Sequence, residues 1–151
     1  MHGIEMLSER VRQRGGKVTL QRLLVWQALE GDRSHPTAEE LYARLRPQAP
    51  TLSLATVYNI LNELVEWGEV RRFDTGDGHI HFDPNTESHA ELICMRCHSV
   101  FDAPADAPEA AAARAPIPAE IGGFRVITRS EQYYGFCPAC RREIEASAVP
   151  A

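Results

Sequence analysis

The stretch Cys94-Met95-Arg96-Cys97 has a counterpart of the same form, Cys137-Pro138-Ala139-Cys140, and together they hold all four cysteines of the chain. In a Cys-x-x-Cys turn both sulfurs can point at one centre, so two such turns supply the four thiolate ligands of a structural zinc site. Two disulfides or a redox-active pair are the alternatives, although a redox pair usually occurs alone at a helix start. We therefore expect zinc to cross-link the regions around residues 94–97 and 137–140.

Composition limits the class of protein further. The 151 residues are 44% apolar and 25% charged, which is ordinary for a soluble globular protein. The apolar runs are too short to span a membrane, and the N-terminus lacks the core of a signal peptide. Four thiols without such a signal favour a reducing, cytoplasmic location.

The net charge of −5 is distributed unevenly along the chain. Residues 1–72 carry ten basic against nine acidic side chains, whereas residues 73–151 carry six against twelve. This asymmetry allows a DNA-binding first half and a cation-binding second half.

The first half has the pattern of four short helices followed by a hairpin. Apolar spacing predicts helices over residues 4–14, 20–30, 38–46 and 54–67, the last three capped by Thr19, Thr37 and Ser53. After Gly68 the pattern becomes the alternation of two strands that flank a Gly76-Asp77-Gly78 turn. This order predicts a winged helix-turn-helix over residues 1–83, whose last helix would enter the major groove. His79 and His81 alternate with Ile80 on the wing, so we expect both at the surface or beside DNA.

The sequence pattern of the second half predicts a small sheet with helices, so we expect the chain to be an α+β protein. Residues 84–88 form a turn-rich hinge, and residues 89–151 form the α/β domain. Its strands are expected over residues 89–94, 99–102, 124–127 and 132–136, and its helices over 108–114 and 138–146. Because this sheet is thin for an independent core, we expect a sheet shared between two copies, hence a homodimer.

A second group of potential metal ligands lies near the hinge: His79, His81, Asp83, Glu87, His89, Glu91 and Asp102. His89 and Glu91 are two residues apart on a strand, so both side chains leave the same face. His35 would join them if the halves fold together. Two imidazoles and three carboxylates would suit Mn²⁺ or Fe²⁺ at an oxygen-rich site. The alternative is that these residues are scattered surface charges of an acidic half.

Several segments in this order resemble the ferric uptake regulator (Fur) family over nearly the whole chain. Besides the cysteine pairs, they are Lys17-Val18-Thr19-Leu20-Gln21-Arg22, His35-Pro36-Thr37-Ala38-Glu39-Glu40, Ser53-Leu54-Ala55-Thr56-Val57-Tyr58-Asn59 and Phe82-Asp83-Pro84-Asn85. The resemblance implies a homodimeric metal-dependent repressor rather than an enzyme, with a winged-helix domain hinged to an α/β dimerisation domain. Its partner would be double-stranded DNA with an A/T-rich palindrome, and no membrane is implied.

The resemblance also assigns roles by position. It implies structural zinc at Cys94, Cys97, Cys137 and Cys140. It implies a regulatory ion at His35, Asp83, His89, Glu91 and Asp102. It implies groove-facing positions at Ser53, Thr56, Tyr58 and Asn59, with backbone or minor-groove contacts at Lys17 and Arg22.

Two residues of the regulatory set bear on the choice of metal. Glu91 replaces the second histidine of a common His-x-His, which exchanges a nitrogen for an oxygen and favours the harder Mn²⁺. Asp102, where iron sensors often have Glu, is similar to the peroxide-sensing (PerR) branch, in which bound Fe²⁺ drives oxidation of a ligand histidine. We therefore expect a Mn²⁺-responsive regulator of metal-uptake genes, with an Fe²⁺-dependent peroxide sensor or an Fe²⁺ or Zn²⁺ uptake regulator as alternatives.

Two other classes of protein could use a similar set of ligands. A non-haem metalloenzyme also combines two imidazoles with carboxylate, but five ligands would leave little room for substrate. A metal carrier would not need a helix with a polar, groove-facing side behind a helix-turn-helix.

Overall fold

A computed structural model describes residues 3–76 and 78–147 of the chain. The chain divides into two compact units, Met1–Thr86 and Glu87–Ala151. Residues 84–88 lie on both sides of this division, and their action as a hinge stays a prediction. Within the described ranges, no helix is long and apolar enough to cross a membrane.

The first unit contains four helices followed by two strands. They are α1 (Ile4–Gln13), α2 (Leu20–Leu29), α3 (Ala38–Leu45), α4 (Leu54–Glu66), β1 (Arg71–Asp74) and β2 (Ile80–Asp83). The predicted order of elements is therefore confirmed, and each helix ends one residue earlier than predicted.

Side-chain caps start three of these helices at the residues that the sequence indicates. Thr19 accepts a hydrogen bond from the Arg22 backbone N–H at 3.3 Å, and Ser53 accepts one from Thr56 at 3.1 Å. Thr37 and Glu40 form a reciprocal capping box, with distances of 3.2 and 2.8 Å. Each such cap contributes about 1 kcal/mol by satisfying a backbone N–H that the helix leaves without an internal acceptor.

One apolar core joins the helices of the first unit. Trp26 on α2, Leu41 on α3 and Leu61 on α4 are each 0% exposed. Helix α4 buries Val57, Ile60, Leu61 and Leu64 on one face. Its opposite face leaves exposed Ala55, Asn59, Asn62 and Glu66. Burial of each large aliphatic side chain contributes roughly 1.5–3 kcal/mol, so this core holds α4 with its polar face outward.

Strands β1 and β2 pair antiparallel as the wing, with Arg71 opposite Asp83 and Asp74 opposite Ile80. The Asp74 carboxylate accepts a hydrogen bond from the Gly76 backbone at 2.7 Å and so begins the turn. Asp77, in the middle of the predicted turn, lies outside the described residues.

The second unit contains a three-stranded sheet, a separate hairpin and two helices. The elements are β3 (Ala90–Cys94), β4 (Val100–Asp102), α5 (Pro108–Arg114), β5 (Glu120–Ile121), β6 (Phe124–Arg125), β7 (Glu131–Gly135) and α6 (Pro138–Ser147). Strand β3 is central, antiparallel to β4 and parallel to β7. A small apolar cluster in this unit consists of Ala90, Ala103 and Ala113, which is a slight core for a unit of this size.

The predicted strand at 124–127 is shorter than expected and does not join the main sheet. Phe124–Arg125 pairs with Glu120–Ile121 in a hairpin of its own. Gly122 and Gly123 connect the two strands with φ of +55° and +84°. A two-residue turn with both φ values positive matches the twist of a tight hairpin, so this glycine pair selects the local pairing.

Candidate metal centres and nucleic-acid interface

The four cysteines meet at one end of the second unit's sheet. Cys94 ends β3 and Cys137 follows β7, and these two strands pair in parallel with Cys94 opposite Gly135. The Met95 backbone N–H also donates to the Gly135 carbonyl at 2.8 Å. As a result the four Sγ atoms all lie within 4.8 Å of one another.

The sulfur geometry fits a tetrahedral metal ion. The Sγ atoms of Cys97 and Cys137 are 3.8 Å apart, and a tetrahedron with bonds of about 2.3 Å to zinc has edges of about 3.8 Å. A disulfide would require a sulfur separation of about 2.0 Å, and all four cysteines are free thiols in the structure. The arrangement therefore favours structural zinc over two disulfides.

Hydrogen bonds prepare the first cysteine pair for ionisation. Burial disfavours the Cys94 thiolate, but backbone N–H groups of Cys137, Cys97 and Arg96 outweigh it and lower its pKa to about 6. The hydroxyl of Ser99, 3.4 Å from the Cys97 sulfur, lowers the pKa of Cys97. Thiolates are the form that binds zinc, so these two sulfurs are the prepared ligands.

Cys140 differs because its pKa is raised to about 12, by burial first and then by the neighbouring cysteine sulfurs. A bound divalent cation reverses this balance, since a coordinating thiol is deprotonated outright. Around this cysteine, Arg96 donates to the Cys140 carbonyl at 3.4 Å and pairs with Glu143 at 3.1 Å. Arg96 therefore ties the first cysteine pair to α6.

His35 and Asp83 form a pair of potential ligands within the first unit. His35 lies between α2 and α3, and Asp83 ends β2. The His35 Nε2 atom is 3.9 Å from Asp83 Oδ1, and each residue is 1% exposed. His35 also has a positive φ of +50°, a conformation that costs a non-glycine residue about 1–3 kcal/mol and persists where the surroundings impose it.

His81 does not lie at the surface, so the expectation for this residue is wrong. Its side chain is buried, and its Nδ1 lies 2.8 Å from the His35 carbonyl oxygen. The alternation along β2 turns His81 toward the segment before α3, which pairs with it through a bridge between Thr37 and His81. His79, by contrast, is exposed.

His89, Glu91 and Asp102 form a second set of potential ligands, within the second unit. The His89 Nε2 atom is 2.9 Å from Glu91 Oε1 and 3.3 Å from Asp102 Oδ1. Strand pairing produces this cluster, since Glu91 on β3 stands opposite Asp102 on β4. The His89 Nδ1 lies 2.8 Å from the Glu87 carbonyl oxygen. A carbonyl only accepts, so Nδ1 carries a proton, and in the neutral ring Nε2 then holds the lone pair that a metal requires.

Burial argues against the interpretation of these residues as surface charges. His35, Asp83, His89 and Glu91 are all at most 8% exposed. A buried carboxylate needs a compensating proton, cation or hydrogen-bond network. The chemistry of both sets therefore fits a divalent cation.

The predicted groove-facing residues lie at the start of α4. Ser53 caps the helix, and its hydroxyl is 2.8 Å from that of Thr56. Asn59 is exposed. The Tyr58 hydroxyl donates to Glu39 Oε1 at 2.9 Å, which raises the pKa of Tyr58. Sequence reasoning missed Glu39, because nothing in the local pattern indicates that α3 supports a side chain of α4.

Lys17 is exposed, whereas Arg22 is held within the first unit. The Arg22 guanidinium binds Glu63 on α4 with two hydrogen bonds of 3.1 and 2.6 Å. It also donates to the Lys17 carbonyl at 2.6 Å. Arg22 thus connects α4 to the segment that carries Lys17, and Glu63 is a second residue that sequence reasoning missed.

Comparison with known proteins agrees with this fold. The model of the ferric uptake regulator family matches residues 13–121. The peroxide-responsive repressor PerR of Staphylococcus epidermidis is 32% identical over 145 residues, which cover 94% of this chain and 93% of that protein. PerR of Staphylococcus aureus is 37% identical over 101 residues, covering 67% of this chain and 68% of its own length.

Solved structures of the same family are also similar. The ferric uptake regulator of Vibrio cholerae is 30% identical with a TM-score of 0.65, covering 86% of this chain and 98% of its own. A zinc-bound manganese uptake regulator is 29% identical with a TM-score of 0.62, covering 87% and 98%. The chain therefore belongs to the ferric uptake regulator family and is a metal-dependent transcriptional repressor.

Proposed function

We propose that the chain acts as a homodimer whose affinity for DNA is set by Mn²⁺. The ion would be held jointly by the first-unit pair, His35 and Asp83, and by the second-unit set, His89, Glu91 and Asp102. The observation that carries this proposal is the repeated approach of a buried imidazole Nε2 to carboxylate oxygens, at 3.9 Å in the first unit and 2.9 Å in the second. Ligand atoms of one ion lie about 3–4 Å apart, since each lies about 2 Å from the metal.

The ligand types favour manganese. Two imidazole nitrogens and three carboxylates give an oxygen-rich site without thiolate, which suits hard Mn²⁺ and, next, Fe²⁺. Glu91 supplies the additional oxygen. Zinc would occupy the separate cysteine site, where Cys94, Cys97, Cys137 and Cys140 provide four sulfurs.

Peroxide sensing through Fe²⁺ is a second candidate function. It is favoured by the 32% identity to PerR of Staphylococcus epidermidis. Asp102, which resembles that branch, is one of the oxygens close to His89. The two candidates differ in outcome: peroxide should abolish DNA binding of the Fe²⁺-loaded protein if it is a sensor, and the Mn²⁺-loaded protein should be unaffected.

An ion shared between the two units would couple metal binding to DNA binding. It would bind most tightly to one arrangement of the units, and so favour the arrangement that fits two operator half-sites. By linkage, DNA would then raise the affinity for the metal by the same factor.

The exposed face of α4 would read the operator. Tyr58 would pack on a thymine methyl group, and Asn59 would pair with adenine. Ser53, Thr56 and Lys17 would approach the phosphates or base edges. For Arg22 we propose a supporting role in place of the expected direct contact, because its guanidinium already binds Glu63 and the Lys17 carbonyl.

An exposed apolar row on the second unit supports dimerisation. Phe101, Leu92 and Tyr133 stand opposite one another on the three strands and are 44%, 36% and 40% exposed. They line part of a cavity of about 440 Å³. Contiguous apolar surface of this kind marks an interaction site, and a second copy would bury it and enlarge a slight core.

The experiment is a DNA-binding titration at fixed salt. Zinc-loaded protein is mixed with a labelled A/T-rich palindrome, and Mn²⁺ is added while fluorescence anisotropy is recorded. We expect Mn²⁺ to tighten binding at least 10-fold, and His35→Ala and His89→Ala each to abolish this effect. Glu120→Ala, at an exposed carboxylate on β5, is the matched control and should respond normally. Equal binding with and without metal would contradict the proposal.

A further inference from the structure

The backbone at His35 is held in an unusual conformation by a neighbouring strand. A φ of +50° is uncommon for a residue with a side chain, and buried instances occur where surrounding groups impose them. The next residue, Pro36, accepts a hydrogen bond from the Phe82 backbone N–H at 3.0 Å. The residue after that, Thr37, forms a bridge with His81. Strand β2 therefore binds residues 36 and 37, directly after His35, through its backbone.

His81 adds the contact that reaches His35 itself. Its ring Nδ1 is 2.8 Å from the His35 carbonyl oxygen, deep in the unit, with His81 7% exposed. Because a carbonyl oxygen accepts only, the His81 Nδ1–H is the donor. This bond holds the peptide group that follows the unusual φ angle.

Phe73 on β1 completes the arrangement by contacting both imidazoles. Its ring stacks on His81 with a centroid separation of 6.0 Å and an interplanar angle of 19°. It meets His35 edge-on at 5.9 Å and 66°. Phe73 thus lies between the two imidazoles and contacts both of them.

We infer that His81 is a positioning residue for His35, and that it sets the affinity of the regulatory ion without binding it. This inference rests on the proposed function, in which His35 is a ligand. The His81 hydrogen bond selects the backbone conformation from which the His35 ring faces Asp83. Groups that orient a metal-binding histidine typically change metal affinity about 10–100-fold when they are removed.

The test measures Mn²⁺ affinity of the zinc-loaded protein against a competing chelator, with no DNA present. His81→Leu removes the donor but keeps an apolar side chain against Phe73. His81→Asn retains an N–H donor close to the position of Nδ1. We expect His81→Leu to weaken Mn²⁺ binding about 10-fold or more, and His81→Asn to recover most of this loss.

Two further measurements separate positioning from a general structural role. His79→Leu, an exposed histidine of the same wing, should leave Mn²⁺ affinity unchanged. In a His35→Ala background, His81→Leu should have little further effect, because the ligand that it positions is gone. Zinc content and the melting temperature of the ion-free protein are recorded for every variant.

The outcomes distinguish failure of the positioning role of His81 from failure of the proposed metal site. If His35→Ala lowers Mn²⁺ affinity but His81→Leu does not, the positioning role is wrong and the proposed site stands. If His81→Asn is as weak as His81→Leu, or His81→Leu weakens binding equally without His35, then His81 is a ligand or a general core residue, and the inference is overturned. If His35→Ala itself has no effect, the proposed site fails.

Discussion

Glu91 shows what a single residue contributes to this molecule. Its position on β3 places it opposite Asp102 and near His89, and it is 1% exposed. The sequence shows that Glu91 replaces the second histidine of the family's His-x-His, and a carboxylate oxygen there favours the harder Mn²⁺. Its burial was not visible there, since Glu is usually a surface residue.

At this residue we predict that Glu91→His moves metal preference away from Mn²⁺. The added nitrogen favours softer or borderline ions, so Mn²⁺ affinity should fall about 10-fold relative to that for Zn²⁺. Isothermal titration calorimetry would measure the affinities for Mn²⁺ and Zn²⁺, with protein whose cysteine site already holds zinc. Glu120→His places the same side chain at an exposed position on β5 and should leave the ranking of metals unchanged. An unaltered ranking in Glu91→His would show that this carboxylate does not select the ion.

Asp32 illustrates how a half-buried residue can hold the connection after α2 against α3. Its carboxylate accepts from the Ser34 backbone at 2.8 Å and from Arg44 on α3 at 2.9 Å. Burial opposes its ionisation, but the hydrogen bonds with Ser34 and Arg44 outweigh that effect and lower the pKa of Asp32 below its usual range.

We therefore predict that Asp32→Asn lowers the free energy of unfolding by about 0.5–1 kcal/mol at pH 7. Because the folded pKa lies below the unfolded value, the ionised group stabilises fully above the unfolded pKa. This contribution is lost as the pH falls through the folded pKa. Urea unfolding at pH 7 and near pH 3 should show the difference between wild type and variant shrinking with acid. A constant difference would mean that ionisation of Asp32 is irrelevant.

At the scale of an element, the β5–β6 hairpin depends on its glycine turn. Strand propensity alone would extend β6 to residue 127, but Gly122 and Gly123 fold it back onto β5 instead. The Gly122-Gly123 turn signal is present in the sequence, so this pairing is one that local sequence can indicate.

For this element we predict that Gly123→Ala lowers the free energy of unfolding by about 1–2 kcal/mol. The loss is conformational, since an added Cβ would meet nothing within 4 Å while φ is +84°. Gly135→Ala on β7 is the matched control, because it also has open space and its φ is not in the left-handed range. Equal urea midpoints for the two variants would rule out backbone strain as the cause.

At the scale of the whole molecule, the two units differ in how they are stabilised. The first unit has an extensive apolar core that includes Trp26 and Leu61. The second unit has a slight alanine cluster, an exposed apolar row and four converging sulfurs. A unit with so little buried apolar area depends on a cross-link or a partner.

We predict that removal of zinc with a strong chelator unfolds the second unit and abolishes dimerisation, while the first unit stays folded. Both tryptophans, Trp26 and Trp67, lie in the first unit, so their fluorescence reports it alone. Circular dichroism and sedimentation should therefore change while tryptophan emission does not. Cys97→Ser should behave like the chelated protein, and Ser130→Ala, at an exposed serine of the same unit, like the zinc-bound one. A coincident loss of all three signals would mean that the units unfold together.

The sequence by itself determined most of the local structure, because caps, apolar spacing and cysteine spacing are short-range signals. Thr19, Thr37 and Ser53 begin their helices as predicted, and the fold class follows from the order of elements. The tertiary structure decided what depends on distant neighbours: that His81 is buried against His35, that Arg22 is bound by Glu63, and that Glu39 supports Tyr58. Those partners are between 19 and 46 residues apart in sequence. Only the packing of separate elements brings them together, so no local pattern could have indicated them.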